Sequence, residues 1–418
     1  MISTAIIGGG IAGLAAAWRL SQGGHRVTLY ERHERPGFIA SSVALPEHGG
    51  IRVDVPLRVF YPGYYPTLVR LYEELGVTSE PVSYASSLCD ATGELFFRYR
   101  NLRIGERHWS YLLPQDLRVS RARRILRGLL RFYREGLAAW REGRLAGLAL
   151  EDFLRQHDFD ADFVDGLLLP ALATIATCSY ASARLFPAEI VMGYLGAGLT
   201  RQCVRRAREG ADDVAARLLR GVAELRCGTQ VAALRREADG VIVAVEGEAP
   251  RRFDHVVVAA QANQTLRMLA DATAAERAAL GAFRYEAVEV LMHRDTRFMP
   301  VRQRDWSAVN LCVQAGQAGP ESTIWVNAVQ PALRGAAPVF QTVQPQRQPA
   351  PGLLISRARF ERPVVDATST LALAGLGALH AEPKRRLWFC GSYAQPGIPL
   401  LESAVRSADA AVEALNRA

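Results

Sequence analysis

The stretch IIGGGIAGLAAAWRLSQGGHRVTLYER, residues 6–32, decides the fold of this chain. Gly8, Gly10 and Gly13 form the pattern G-x-G-x-x-G between an apolar run and an alanine-rich segment, and Glu31 follows Gly13 by eighteen residues. Glycines with this spacing make a tight turn, let a pyrophosphate approach the backbone and let a helix pack on its strand. The helix N-terminus attracts phosphates, and Glu31 is placed to accept hydrogen bonds from a ribose. The stretch therefore predicts a β-α-β unit that binds a dinucleotide.

The length and composition of the chain favour a globular protein with two domains. It has 418 residues, of which 49% are hydrophobic, and no apolar run is long enough to cross a membrane. The six cysteines are scattered without a CxxC pair, and the eight histidines form no cluster. These patterns predict reduced thiols, a cytoplasmic location and no metal site.

Positive charge is concentrated in one region of the chain. Residues 98–144 hold 13 arginines and four acidic residues, a local net charge of +9 within a total of +8. Inside this region, residues 120–141 have the pattern of a basic amphipathic helix, with an expected apolar stripe of Leu126, Leu129, Leu130, Tyr133, Leu137 and Trp140. The helix is interpreted either as a peripheral contact with an anionic membrane or as a surface helix whose apolar stripe packs inward. No nucleic-acid-binding module accompanies the charge, so nucleic acid is not expected as a partner.

The order of the predicted elements indicates that one domain is interrupted by another. The β-α-β unit opens the chain, a hairpin with a turn at Asp239-Gly240 and the strand FDHVVVAA follow much later, and RRLWFCGSY with LESAVRSADAAVEALNRA closes it as a strand and a helix. Strands are expected over residues 80–115 and 283–345, including STIWVNAVQ, and helices over 120–220. The stretch QTVQPQRQPAPG, residues 341–352, is expected to be a surface loop.

Three segments resemble the FAD-dependent oxidoreductases of the amine oxidase and phytoene desaturase superfamily. The first is the glycine motif with Glu31, and the second is GTQVAAL followed by FDHVVVAA. The third is Cys390-Gly391-Ser392 followed by LLESAVRSADAA, which is similar to the closing FAD signature of the family. The segments YPTLVRLYEELGV, VLMHRDTRFMP, WSAVN and WVNAVQP resemble predicted NAD/FAD-binding proteins associated with cyclopropane fatty acid synthases.

The resemblance implies an α/β fold: a Rossmann-like FAD-binding domain of the glutathione reductase/amine oxidase type with an inserted α+β substrate domain. The FAD-binding domain is expected over residues 1–60, 205–275 and 376–418. The substrate domain is expected over 61–204 and 276–375, with a helical subdomain at about 118–204. FAD is the implied cofactor, and the implied FAD-binding residues are Gly8, Gly10, Gly13, Glu31, Arg32, Gly37, Val231, Gly391, Ser392, Leu400 and Leu401.

No catalytic residue is fixed by the sequence. Tyr285, His293 and Trp325 are weak candidates, and each has an equally good interpretation as a structural residue. Tyr61, Tyr64 and Tyr65 are expected either to roof a pocket or to join the core. Amine oxidases of the superfamily usually hold a lysine beside the flavin, whereas the single lysine of this chain, Lys384, lies outside the corresponding segment.

The resemblance to lipid-associated members and the absent lysine favour an oxidoreductase that desaturates or oxidises an apolar, lipid-like substrate, either an acyl chain or a polyenoid. Three alternatives remain open: an amine or amino-acid oxidase, a flavin-dependent double-bond isomerase, and a flavoprotein without catalysis. The last is suggested by Phe38 and Pro56, which stand where the family often has glycine.

Overall fold

The structure, a computed structural model, describes residues 1–105, 107–199 and 201–417. Its strands are β1 (Ser3–Ile7), β2 (Arg26–Tyr30), β3 (Val43–Leu45), β4 (Ile51–Val53), β5 (Ser79–Pro81), β6 (Ser86–Cys89), β7 (Leu95–Ile104), β8 (Arg107–Tyr111), β9 (Arg205–Ala207), β10 (Glu224–Arg226), β11 (Val231–Glu237), β12 (Gly240–Val245), β13 (Arg251–Phe253), β14 (His255–Val258), β15 (Tyr285–His293), β16 (Val309–Cys312), β17 (Glu321–Trp325), β18 (Phe340–Val343), β19 (Leu354–Pro363) and β20 (Leu387–Phe389).

The helices alternate with these strands at both ends of the chain and cluster in its middle. They are α1 (Ile11–Gln22), α2 (Pro66–Glu74), α3 (Ser120–Arg141), α4 (Leu150–Gln156), α5 (Ala161–Phe163), α6 (Leu169–Ala176), α7 (Tyr180–Leu185), α8 (Ala188–Gly196), α9 (Gly210–Leu218), α10 (Ala262–Met268), α11 (Ala274–Gly281), α12 (Val326–Val329), α13 (Ala367–His380) and α14 (Leu401–Arg417). Among the described residues, no helix combines the length and the apolar composition that crossing a membrane requires.

The opening stretch forms the centre of a five-stranded parallel sheet with the order β10-β2-β1-β14-β20. Its strands are apolar on both faces because helices cover both. Ile6 and Trp388 pack with α1 and α14 on one face, whereas Ile7 and Phe389 pack with α10 and α13 on the other. The antiparallel sheet β11-β12-β13 includes the predicted hairpin and leads directly into β14.

The second layer is an eight-stranded mixed sheet with the order β19-β15-β18-β17-β16-β6-β7-β8. Its only described parallel pair is β16 with β6, which joins two segments that are far apart in the chain. All strands of this sheet fall within residues 61–204 and 276–375, and all strands of the parallel sheet fall within the other three predicted segments. The α/β fold with an inserted α+β region is confirmed, and the exact domain boundaries stay a prediction.

Two local predictions in the second half of the chain were wrong. The run STIWVNAVQ was expected to be one strand, but β17 ends at Trp325 and α12 begins at Val326. The Asn327 side chain causes this turn, since its amide donates to the Leu333 carbonyl over 3.0 Å and its oxygen accepts from the Val339 N–H over 2.9 Å. The expected loop 341–352 begins as a buried strand, because β18 pairs with β15 on one side and β17 on the other.

The basic helix α3 buries a different face from the one that its leucines indicate. Its buried residues are Ala122, Ile125, Gly128, Phe132, Gly136 and Ala139, whereas Leu130 and Trp140 remain 63% and 40% exposed. The small residues decide this face. A Cβ on Gly128 would lie 2.4 Å from the Phe163 Cβ, and one on Gly136 would lie 2.7 Å from the Met192 Cε. The close approach of neighbouring helices to these glycines therefore determines which face of α3 is buried, and it outweighs the gain from burying the leucines.

Candidate functional site

The glycine loop between β1 and α1 encloses space that the protein itself does not fill. Gly8 has a φ of +107°, and its N–H donates to the Tyr30 carbonyl over 2.8 Å. A Cβ on Gly13 would lie 1.9 Å from the Gly8 carbonyl oxygen, so α1 packs on its loop only with glycine there. Gly10 is the N-cap of α1 with a φ of −69°, and a Cβ on it would meet no described atom within 4 Å. Open space over a helix N-terminus is what a phosphate group requires.

Glu31 at the end of β2 ties this loop to the following segment. Its Oε2 accepts hydrogen bonds from the Gly9 N–H over 2.7 Å and the Gly37 N–H over 3.2 Å. Its Oε1 accepts from the His33 N–H over 2.9 Å and lies 2.6 Å from the His33 Nδ1. The His33 side chain is 47% exposed, whereas that of Glu31 is only 6% exposed. Glu31 thus has a structural role in the loop, and its contact with a ribose stays a prediction.

The last strand and the last helix close the opposite wall of the site. Gly391 follows β20, and its N–H donates to the Ser407 Oγ in α14 over 2.9 Å. The Glu402 carboxylate is 3% exposed and accepts the N–H groups of Thr67 and Leu68 over 3.1 and 3.0 Å. Because these N–H groups begin α2, Glu402 caps that helix from another part of the chain. The closing signature therefore joins α14 to α2.

We expect Glu402→Ala to lower the free energy of unfolding by about 2–4 kcal/mol, because it leaves two buried N–H groups without an acceptor. The measurement is denaturant unfolding of the purified protein with its cofactor. The matched control is Glu73→Ala, an exposed glutamate in α2, which should change the free energy by less than about 0.5 kcal/mol. Equal losses for the two variants would show that Glu402 is not a helix cap.

A cavity of about 870 Å³ extends from the glycine loop to the eight-stranded sheet. It is predominantly apolar. Leu167, Ala171 and Ile175 border it from the helical layer, and Leu311 and Ile324 border it from the sheet. Seven of the predicted FAD-binding residues line it: Gly10, Arg32, Gly37, Gly391, Ser392, Leu400 and Leu401.

The other predicted FAD-binding residues lie behind this wall. Gly8 and Gly13 shape the loop, Glu31 holds it, and Val231 is buried at the start of β11. The turn before β11 contacts the Glu31 segment, since the Thr229 N–H donates to the Glu31 carbonyl over 2.8 Å. The unfilled space at Gly10 and the helix N-terminus beside it fit a dinucleotide phosphate. The individual contacts with the cofactor stay predictions.

Arg58 and Arg362 bring positive charge to the middle of the cavity. The Arg58 guanidinium stacks 4.4 Å from the centre of the Phe38 ring and donates to the carbonyls of Pro56 and Phe38. The Arg362 side chain makes no hydrogen bond or ion pair with a described residue, and its Nε is buried without a partner. Burial, to which the nearby charge of Arg58 adds, lowers the pKa of Arg362 to about 10. Both side chains are partly buried at the cavity wall, and neither forms an ion pair with a carboxylate of the described residues.

The balance of charge along the cavity is strongly positive. Its lining includes the arginines Arg32, Arg58, Arg267, Arg359 and Arg362, whereas Glu361 is its only described carboxylate. Glu361 accepts hydrogen bonds from Asn263 and Gln264 rather than from an arginine. A cavity of this kind attracts anions and repels cations.

Of the three catalytic candidates, Tyr285 alone lines the cavity. Its hydroxyl accepts the Ala262 N–H over 2.8 Å, and burial raises its pKa, so it is neutral and held in place. The His293 Nε2 lies 2.7 Å from the Thr342 Oγ1 inside the sheet, where burial lowers the pKa of His293 to about 4. The Trp325 ring packs edge-on against Trp306 at 5.6 Å and lies outside the cavity. His293 and Trp325 therefore do not line the cavity that the predicted FAD-binding residues border.

Two of the three neighbouring tyrosines line the cavity, and the single lysine lies outside it. Tyr61 and Tyr65 line the cavity, and the Tyr61 hydroxyl donates to the Tyr194 carbonyl over 2.6 Å. Burial raises the pKa of both tyrosines, which keeps them neutral. Lys384 is exposed in the connection between α13 and β20, so it lies outside the cavity.

Sequence reasoning missed three residues of this site: Arg58, Arg362 and Gln341. The Gln341 amide donates to the Asp54 carbonyl over 3.0 Å, and its oxygen accepts the Leu57 N–H over 2.7 Å. It is fully buried in β18 and fixes the segment before Arg58 on the eight-stranded sheet. A glutamine in a stretch rich in proline and glutamine gives no sign of this role, because its partners are backbone groups from far along the chain.

Comparison with known proteins places the chain in a family. The model of a family described as flavin-containing amine oxidoreductase matches residues 11–357. A search of curated proteins finds no match. Solved structures match over the whole chain. Putrescine oxidase bound to putrescine has 14% identity and a TM-score of 0.68, with 100% of this chain and 99% of that chain covered.

Two further solved structures have the same fold. The CLA-producing fatty acid isomerase from P. acnes has 14% identity and a TM-score of 0.67, with 100% of this chain and 98% of that chain covered. Cyclohexylamine oxidase from Brevibacterium oxydans IH-35A has 16% identity and a TM-score of 0.66, with coverage of 100% and 99%. At these identities the likeness establishes the fold, and the substrate has to be inferred from the cavity.

Proposed function

We propose, from the premise that this chain belongs to the flavin-containing amine oxidoreductase family, that it oxidises or desaturates an acyl compound whose carboxylate pairs with Arg58 and Arg362. Membership makes the protein an FAD-dependent oxidoreductase, and FAD, when bound, supplies the acceptor for a hydride from the substrate. The protein's own residues bind, orient and desolvate the substrate. The observation that carries the proposal is an apolar cavity in which the guanidiniums of Arg58 and Arg362 form no ion pair with a described carboxylate, whereas Arg359 pairs with Glu289.

The apolar walls favour an alkyl chain. Each buried methylene is favourable by about 0.8 kcal/mol, so affinity is expected to rise with chain length until the cavity is filled. Leu400 and Leu401 border the cavity on the side of the parallel sheet, and Ala287 and Phe360 border it on the side of the mixed sheet. The resemblance of the middle of the chain to proteins associated with cyclopropane fatty acid synthases agrees with this inference but does not carry it.

The guanidiniums favour a carboxylate over an ammonium group. Two unit charges 4 Å apart interact by about 4 kcal/mol at the effective dielectric of a partly buried site. A carboxylate gains such an interaction with Arg362, whereas an ammonium group is repelled by a similar amount and loses its hydration. The absence of a lysine from the described cavity points the same way, since amine oxidases of the superfamily usually hold one beside the flavin.

The test is anaerobic reduction of the bound flavin by a panel of long-chain fatty acids, their methyl esters, polyenes and primary amines. We expect a fatty acid to bleach the flavin and the amines to leave it oxidised. A fatty acid whose double bond moves while the flavin returns to its oxidised form would indicate the isomerase instead. Rapid bleaching by a simple amine, with the acyl compounds inert, would contradict the proposal and favour an amine oxidase.

A further inference from the structure

The hairpin of β7 and β8 exposes an apolar face at the edge of the eight-stranded sheet. Leu102, Ile104, Trp109 and Tyr111 are 49%, 63%, 41% and 38% exposed. In the antiparallel register Leu102 pairs with Trp109, Ile104 with Arg107, and Arg100 with Tyr111. Directly paired residues and alternate residues of a strand share one face. All four apolar side chains therefore lie on the same side of the hairpin.

The opposite face of the hairpin is packed against the protein. His108 is 4% exposed, and its ring lies 4.9 Å from that of Tyr84. Tyr84 and Tyr99 line the cavity described above, and Tyr99 belongs to β7. The apolar side chains are thus held outward by an ordered sheet, and the same strand that carries them reaches the wall of the cavity.

Arginines without a described ion pair lie on and near this hairpin. Arg107 shares the apolar face, and Arg103 pairs with His108 on the opposite face. Arg118, Arg123 and Arg127 follow along the chain, and all five are exposed without an ion pair to a carboxylate of the described residues. By contrast, Arg121 and Arg124 of α3 pair with Asp162, and Arg131 pairs with Glu135. In α3, the helix predicted to contact a membrane, carboxylates of the protein itself thus neutralise part of the arginine charge. The segment before α3 lies at the base of the hairpin, since Arg100 in β7 pairs with Asp116, and the Arg121 guanidinium stacks 3.7 Å from the centre of the Phe96 ring at the start of β7.

We propose that the β7–β8 hairpin docks the protein on an anionic phospholipid surface. The aliphatic side chains of Leu102 and Ile104 enter the boundary between headgroups and acyl chains, and Trp109 and Tyr111 lie at the level of the headgroups. The unpaired arginines bind the lipid phosphates. A lipid surface is favoured over a protein partner because, among the described residues, the exposed charged side chains of the hairpin are arginines, which match a bilayer of anionic lipid.

The experiment is co-sedimentation of the purified flavoprotein with vesicles of phosphatidylcholine alone and of phosphatidylcholine with phosphatidylglycerol. We expect binding to the anionic vesicles only, and weaker binding at high salt. Arg107→Gln should weaken binding by about fivefold, which corresponds to about 1 kcal/mol for this arginine. Leu102→Ser with Ile104→Ser should weaken it by at least the same factor.

Matched variants separate docking from general surface effects. Leu371→Ser changes an apolar residue that is 76% exposed in α13, and Arg26→Gln with Arg220→Gln removes two exposed arginines elsewhere. These variants should bind anionic vesicles as the parent does, and every variant should retain its FAD. Equal binding by the hairpin variants and the parent would overturn the proposal, as would equal binding to neutral vesicles. Self-association through the hairpin without lipid would assign this face to a second copy of the chain instead.

Discussion

Gly10→Val is expected to abolish FAD binding while leaving the chain folded. Gly10 has an ordinary φ of −69°, and a Cβ there would meet no described atom within 4 Å. Neither the backbone conformation nor the space around the Cβ therefore opposes a side chain at this position. The space that valine would occupy lies over the N-terminus of α1, where the pyrophosphate of a dinucleotide binds. We expect FAD affinity to fall by at least about 100-fold, since the phosphates lose their contacts with the helix N-terminus.

The measurement is the FAD content of the purified protein, followed by titration of the apoprotein with FAD and by circular dichroism. Gly377→Val is the matched control, because Gly377 in α13 also has open space around its Cβ and lies outside the main cavity. This control should retain its FAD. Full FAD content in Gly10→Val would place the cofactor elsewhere, and an unfolded Gly10→Val would show that the glycine is needed for packing.

The dinucleotide unit is predictable because its determinants are local. Gly8, Gly10, Gly13 and Glu31 occur within one β-α-β unit, so spacing alone fixes their geometry. Even here the sequence gives an incomplete account of Glu31, which accepts the N–H groups of Gly9 and Gly37. That role depends on the path of the loop after β2, which cannot be predicted from the periodicity of the sequence.

The charged part of the cavity is not predictable in this way. Arg58 comes from the segment after β4, and Arg362 comes from β19, so only the assembled sheets bring them together. Among the many arginines of a basic chain, these two have no distinguishing local pattern. Their distinguishing property is the absence of a described carboxylate partner, which is visible only in three dimensions.

Which residues of α3 are buried depends more on side-chain volume than on hydrophobicity. The stripe expected for α3 includes Leu130, yet Gly128 and Gly136 face the core because Phe163 and Met192 approach them closely. An argument from periodicity expects leucine rather than glycine to be buried, and it therefore predicts the wrong buried face for α3. The shift also moves the expected membrane contact, because the exposed apolar side chains with unpaired charge lie mainly on the neighbouring hairpin.

The prediction that most directly tests the proposed substrate is Arg362→Met. Methionine keeps much of the length and apolar surface of the side chain and removes the charge. We expect affinity for a long-chain fatty acid to fall by about 100-fold, within the range of 1.5–3 kcal/mol that a charged hydrogen bond contributes. Affinity for the methyl ester of the same acid should stay within about threefold, because it depends on the apolar walls.

A structural role for Arg362 predicts different results. The Arg362 side chain makes no hydrogen bond or ion pair with a described residue, so its replacement removes a partly buried charge without breaking a polar contact. Stability should therefore stay equal or rise, since a charge removed from water without a partner is costly. The measurements are ligand titrations followed by the flavin spectrum, with thermal unfolding of parent and variant. If Arg362→Met loses its FAD, the guanidinium binds the cofactor. If binding of the acid and of the ester falls equally, Arg362 instead maintains the shape of the cavity.

If the variant is stable and retains FAD but no longer binds the acid more tightly than the ester, Arg362 is the residue that recognises the carboxylate.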